Sequence, residues 1–362
     1  MIAISGCKKK ETYTVTFNAN GGTGTMSAQT FTEGEAQTLT RNAFTYDGYA
    51  FSGWNTVQGG SGASYTDGQS ITVNSDMTLY AQWTSNGPTV TFNANGGTGE
   101  MAPQTFTIGR AQALSANTFT RENHLYSGWN TSADGSGTAY RDLQEITISE
   151  SITLYAQWHE YVDLGLPSGL LWATCNVGAT TPEGYGDYFA WGETTTKETY
   201  DWRTYRYCNG NYNTLTKYCN NADYGNNGFT DALTTLEAVD DAATANWGAG
   251  WRTPTKEEMS ELCINCTREY KTHNGVNGCL YTSRSNGNSI FMPATGYCIY
   301  SRIISDGLIC YYWSSSLRTD DPNMAEIIDF YPDDYCPDDS YRYADYYRFC
   351  GQSVRAVCQS QN

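Results

Sequence analysis

Cys263-Ile264-Asn265-Cys266 is the tightest pairing of reactive side chains in the chain. Two thiols at that spacing can act as a redox pair or as half of a zinc site. No second CxxC follows, and His273 is the only histidine beyond position 160. The spacing therefore points to structural thiols, packed in a helix or paired elsewhere, and no metal or cofactor is expected. Eleven of the 12 cysteines lie beyond Tyr161. An odd number leaves at least one unpaired even in an oxidising compartment, and the connectivity is not fixed by spacing. Carboxylates are too abundant for an acid/base pair to stand out, so no catalytic residue is assigned and the chain is expected not to be an enzyme.

The segment from Asp320 to Tyr347 carries nine acidic residues and six tyrosines. Tyrosine offers a large contact area at small entropic cost, which suits recognition surfaces. The candidate ligand-binding residues are Tyr311, Tyr312, Tyr331, Tyr335, Tyr341, Tyr343, Tyr346 and Tyr347, with Asp333, Asp334, Asp338 and Asp339. The competing reading is a solvated acidic insertion. The aspartates are oxygen ligands of the type calcium takes, but they lack a regular loop spacing. Calcium is thus the lesser alternative to no cofactor.

Near the start, Ile4-Ser5-Gly6-Cys7 fits a lipobox, in which small residues precede a lipid-modified cysteine. The apolar segment expected before it is cut to a few residues, which implies a start codon placed too late or a trimmed leader. Cys7 is the expected lipidation site, and residues 1–12 read as a tether. The net charge is -17, from 21 Lys+Arg against 38 Asp+Glu. That balance argues against nucleic acid and anionic surfaces as partners. A membrane would be reached through the lipid anchor alone.

Stepping along the chain, a block of about 75 residues occurs twice without insertion or deletion. About 42 of the 70 positions from 14 to 83 recur 75 residues on. Val15 and Phe17 alternate with Thr14, Thr16 and Asn18, the period of a half-buried strand. Asn20-Gly21-Gly22 supplies positive-φ positions for a tight turn. Met77, Leu79, Ala81 and Trp83 form a closing strand, matched by Ile152, Leu154, Ala156 and Trp158. A short helical turn is expected between Tyr65 and Asp76. Trp54 and Trp129 read as core residues of domains too small to spare an indole. His124 and His159 are not repeated, which excludes a shared catalytic role. The polar junctions at 84–88 and at 159–160 are short and favour a semi-rigid array.

The segments T-V-T-F-N-A-N-G-G, F-S-G-W-N and T-L-Y-A-Q-W resemble the Listeria–Bacteroides, or internalin B-type, repeat. The resemblance implies two β-grasp-like domains, at 13–84 and 88–158.

Composition shifts at Tyr161. Leu233, Leu236, Ala238, Val239 and Ala242 recur at helical spacing within 231–247. Thr255 and Glu258 form a capping box for a following helix. Phe291 to Tyr297, Tyr311 to Ser316 and Ser353 to Val357 read as strands. The motifs L-P-S-G-x-x-W-A-x-C-N-V-G-A, N-W-G-x-x-W-R-x-P-T, F-M-P-A-T-G-Y and S-V-R-A-V resemble the Fibrobacter succinogenes major paralogous domain, common in Bacteroidetes lipoproteins. The resemblance covers 161–358 and implies an α+β, C-type-lectin-like domain related to formylglycine-generating enzymes. The lectin calcium motifs are absent, apart from a weak echo at Asp321-Pro322-Asn323. The closely spaced cysteines of the oxidase are absent too. Arg252 and Arg355 are expected to be structural.

The sequence therefore reads as a multidomain cell-envelope lipoprotein of the outer membrane, on its surface or periplasmic face. Its repeats would present an adhesin-like head that binds a protein or glycan. A formylglycine-generating-type enzyme and a structural subunit of a surface assembly are the alternatives.

Overall fold

The computed structural model describes residues 9–85, 87–330 and 343–359. The protein is mainly β, with several sheets and two short α-helices, Ala242–Trp247 and Lys256–Asn265, among the described residues. The chain divides into two compact units. One comprises Met1–Asn93, Met101–Asn117 and Asp142–Leu154; the other comprises Ala94–Glu100, Thr118–Arg141 and Tyr155–Asn362.

The first unit contains the first repeat entire. Its five strands run Gln29–Thr32, Thr12–Asn18, Met77–Ser85, Tyr49–Asn55 and Ser64–Tyr65 across one sheet. The two central strands are parallel, with Phe17 opposite Leu79, and the other pairings are antiparallel. Alternation puts Val15, Phe17, Leu79 and Ala81 on one face, where they meet Phe31, Leu39, Phe44 and Trp54. Trp54 is fully buried, as is Trp129 in the second repeat. The Trp83 indole N–H donates to Ala19 O at 2.9 Å. A Cβ on Gly22 would lie 2.7 Å from that indole, so only glycine fits the turn. The helical turn expected between Tyr65 and Asp76 is a strand instead. Ser70–Thr72 pairs antiparallel with Ala36–Thr38, and Ile71 and Val73 point inward. The β-branched run Ile71-Thr72-Val73 favours the extended form.

In the second unit, the strand Ile152–Asp163 runs from Tyr155 onward and leads from the second repeat into the C-terminal domain. Its residues 155–160 pair with His124–Asn130, and its residues 161–163 pair with Leu171–Ala173. The sheet continues through Val357–Gln359 to Trp251–Arg252. The short polar linker expected after Trp158 is therefore no linker at all. Here the two repeat copies diverge for a physical reason. Position 50 is an exposed alanine, but its counterpart Leu125 is buried in the core with Trp247 and Trp251. Gly250 carries no Cβ where one would meet Leu125 at 2.7 Å. Thr84 has His159 as its counterpart, whose ring stacks on Trp247 at 3.8 Å and 17°.

The rest of this unit adds three antiparallel groups. Cys266–His273, Val276–Ser283 and Ser289–Pro293 form a meander, Tyr297–Ile299 pairs with Arg302–Ile304, and Cys310–Leu317, Met324–Phe330 and Tyr343–Tyr347 form a third sheet. The helix Lys256–Asn265 starts at the expected capping box of Thr255 and Glu258. The helix expected over 231–247 is shorter, with α-helix only at Ala242–Trp247. Upstream, Leu236 N bonds Ser315 O and Leu317 N bonds Thr234 O. Those backbone groups are satisfied by a neighbouring strand, so helical spacing loses to sheet pairing.

Candidate functional site

The strand Tyr343–Tyr347 lies at the edge of its sheet, with Tyr347 opposite Met324 and Tyr346 opposite Ala325. Strand alternation sends adjacent side chains to opposite faces. Tyr346 turns inward and packs on Tyr297 at 4.6 Å and Tyr311 at 5.7 Å. Tyr347 turns outward and is 44% exposed. Its ring stacks on Phe349, 5.7 Å away and 16° from parallel, and meets the edge of Trp202 at 6.3 Å. Trp202 is half-buried and packs on Phe349 at 4.9 Å. The outcome is a small aromatic surface whose rings fix one another.

Arg348 holds this surface in place. It is fully buried, and among the described residues its partners are a hydroxyl and carbonyls rather than a carboxylate. Its guanidinium donates to Tyr205 Oη and to the carbonyls of Tyr218, Pro322 and Lys217, all at 2.9–3.0 Å. The rings of Trp191, Tyr205 and Tyr218 surround the cation at 5.0–5.9 Å. The Arg348 amide also donates to Asn323 O at 3.0 Å. One residue thus ties the Asp321-Pro322-Asn323 turn to the end of the edge strand. Pro322 is here an anchor for the arginine. Among the described residues no group of three or more His, Cys, Asp or Glu side chains has metal-binding geometry.

Two of the tyrosines expected at the ligand surface are not there. Tyr311 is buried, and Tyr312 is fully buried with its hydroxyl donating to Pro293 O at 2.8 Å. The strand Cys310–Leu317 is covered on nearly its whole length, which its run of tyrosines followed by serines does not reveal. Tyr343 contributes backbone to the edge strand. Tyr331, Tyr335, Tyr341, Asp333, Asp334, Asp338, Asp339 and Cys7 lie outside the described residues. Trp202, Phe349 and Arg348 were not singled out in the sequence. Arg348-Phe349 directly after a tyrosine pair was the available signal, but the partner Trp202 is remote in sequence.

A second polar cluster supports the arginine from below. Asp240 accepts from Tyr207 Oη at 2.5 Å, Tyr218 Oη at 2.7 Å and Lys217 Nζ at 2.5 Å. Burial alone would raise its carboxyl, yet the ammonium and the two hydroxyls hold it below its ordinary value. Arg355 is fully buried too, and donates to Asn176 Oδ1 and to the carbonyls of Ala173, Thr174 and Phe291. Arg252 makes a two-pronged pair with Glu258. Both arginines are structural.

Both CxxC cysteines are free thiols. Burial pushes the Cys263 thiol up to about 12 and Cys266 up to about 11. Reactive pairs need a depressed thiol that ionises near neutrality.

With this geometry in view, the Listeria-Bacteroides repeat domain family matches residues 13–82 and 89–157. A protein of Evansella cellulosilytica, provisionally named a Gly-rich membrane protein, is 40% identical over 121 residues, 31% of this chain and 14% of that protein. A second protein of the same organism, provisionally named a membrane protein, is 32% identical over 152 residues, 40% of this chain and 22% of its own. The chain thus spans less than a quarter of the length of the curated relatives it matches. No solved structure matches the chain. The family match gives one identification: the chain carries two tandem Listeria-Bacteroides repeat domains within residues 13–157.

Proposed function

We propose that the protein is a non-enzymatic cell-envelope lipoprotein whose C-terminal domain binds a protein or glycan ligand. The carrying observation is the exposed Tyr347 ring beside Trp202, held on a strand pinned by Arg348. Rigid aromatic contacts on a fixed scaffold lose little entropy on binding. We read residues 161–358 as a Fibrobacter succinogenes major paralogous domain with a C-type-lectin-like fold. Its first and last strands pair, Leu171 opposite Cys358, which supports a closed domain. The two repeats would serve as spacer modules. The membrane naming of the relatives supports an envelope location.

A broad array of glycans and host proteins tests the binding role. Wild type should bind at least one ligand class, and Tyr347→Ala, with an unchanged melting temperature, and Trp202→Ala, still folded, should each weaken that binding at least tenfold. Full binding by both variants would remove this surface from consideration. The lipid anchor has its own test, with palmitate incorporation expected in wild type and lost in Cys7→Ala. Equal labelling of the two would rule it out.

A further inference from the structure

Ten cysteines are described, and all ten are free thiols. Two of them meet across a sheet boundary. Cys279 lies in the strand Val276–Ser283, directly opposite Met292. Cys310 opens the strand Cys310–Leu317 in the next sheet. The Cys310 thiol donates at 3.5 Å to the carbonyl of Met292, the residue opposite Cys279, so the two cysteines flank one residue. Both residues are essentially unexposed, at 0% and 1%. They share one core with Leu262, Ile290, Met292 and Tyr312, on the far side of the sheet from the aromatic surface's own core.

We propose that Cys279 and Cys310 form a disulfide as this domain folds in an oxidising compartment. The compartment rests on the envelope reading above; the pairing itself rests on the geometry. The oxidant is a disulfide-bearing thiol oxidoreductase, or a small disulfide in its place. One cysteine thiolate attacks the oxidant disulfide and releases one thiol. The second cysteine thiolate then attacks the mixed disulfide and releases the other. The two cysteines lose two protons and two electrons, and the oxidant gains them as two thiols. Timing follows from burial. Burial pushes the Cys310 thiol well above its ordinary value. Exchange needs thiolate and access, so the bond must close before the core does. Once closed, it ties the Cys266–Pro293 meander to the sheet that carries Tyr347 and shortens the open chain between them.

The test uses the full chain and does not depend on where the protein resides. Reduced, denatured protein is refolded with oxidised glutathione, quenched in acid, unfolded, alkylated and digested with trypsin. Arg284 and Arg302 separate the two cysteines into different peptides. The expected result is a Cys279–Cys310 linked peptide, together with a melting temperature several degrees above that of reduced wild type. Folded, reduced protein exposed to the same oxidant should keep both thiols. Cys310→Ala should leave Cys279 fully alkylated and show no oxidation-dependent rise in melting temperature. If that variant fails to fold, the wild-type peptide map decides alone. Full alkylation of both cysteines after oxidative refolding, or linkage of either to a different cysteine, would overturn the proposal. Neither result bears on ligand binding or anchoring, so the two readings fail separately.

Discussion

Arg348→Met should destabilise the C-terminal unit by about 4 kcal/mol, and its melting temperature should fall by roughly 10 °C. Four hydrogen bonds from a charged donor disappear, and three buried carbonyls lose a partner. Bonds of this kind contribute about 1.5–3 kcal/mol each. The sum overstates the loss, because a buried guanidinium carries its own desolvation cost, which methionine relieves. The cation–π contacts with Trp191, Tyr205 and Tyr218 add to the deficit. Arg348→Lys should recover only part, since an ammonium cannot bridge four acceptors held in the plane of a guanidinium. Chemical denaturation of the three proteins checks the order. A methionine variant within about 1 kcal/mol of wild type would contradict the clamp.

Acidification should loosen the junction between the second repeat and the C-terminal domain well before carboxylates protonate. Burial against Trp247 and Trp251 pulls the His159 imidazole down to about 4, and His124 on the neighbouring strand adds repulsion. The unfolded chain holds the same group near 6.5. Between those values the unfolded state binds the proton and the folded state does not. Stability is therefore full above about pH 6.5 and falls as pH drops toward 4, by as much as about 3 kcal/mol. Asp240 and Glu258 are held below their ordinary values, so their contributions are lost at still lower pH. His159→Thr, which copies the first repeat, should flatten the profile between pH 6.5 and 4.5. A wild-type stability that stays level over that interval, or a variant with the same slope, would show that the stack is not the cause.

The sequence by itself determined the elements whose logic is local. The duplication, the opening and closing strands of each repeat, the capping box at Thr255 and the burial of Trp54 and Trp129 follow from periodicity, turn chemistry and domain size. The structural role of Arg355 was legible as well, because an isolated arginine inside an apolar segment has few other uses. Only the tertiary structure decided the outcomes that depend on what covers a face. Tyr311 and Tyr312 look like surface residues beside serines, yet their strand is covered on nearly its whole length. Leu233 and Leu236 have helical spacing, yet a neighbouring strand offers their backbone better partners. His159 stood out as a departure from the repeat, but its partner Trp247 lies 88 positions on. Arg348 could not be singled out, because its acceptors are carbonyls, which every residue carries. Periodicity records which side chains avoid water, and it does not record which surface meets them. That distinction separates the strands of the repeats, readable from either copy, from the arginine and histidine that join one part of this protein to the next.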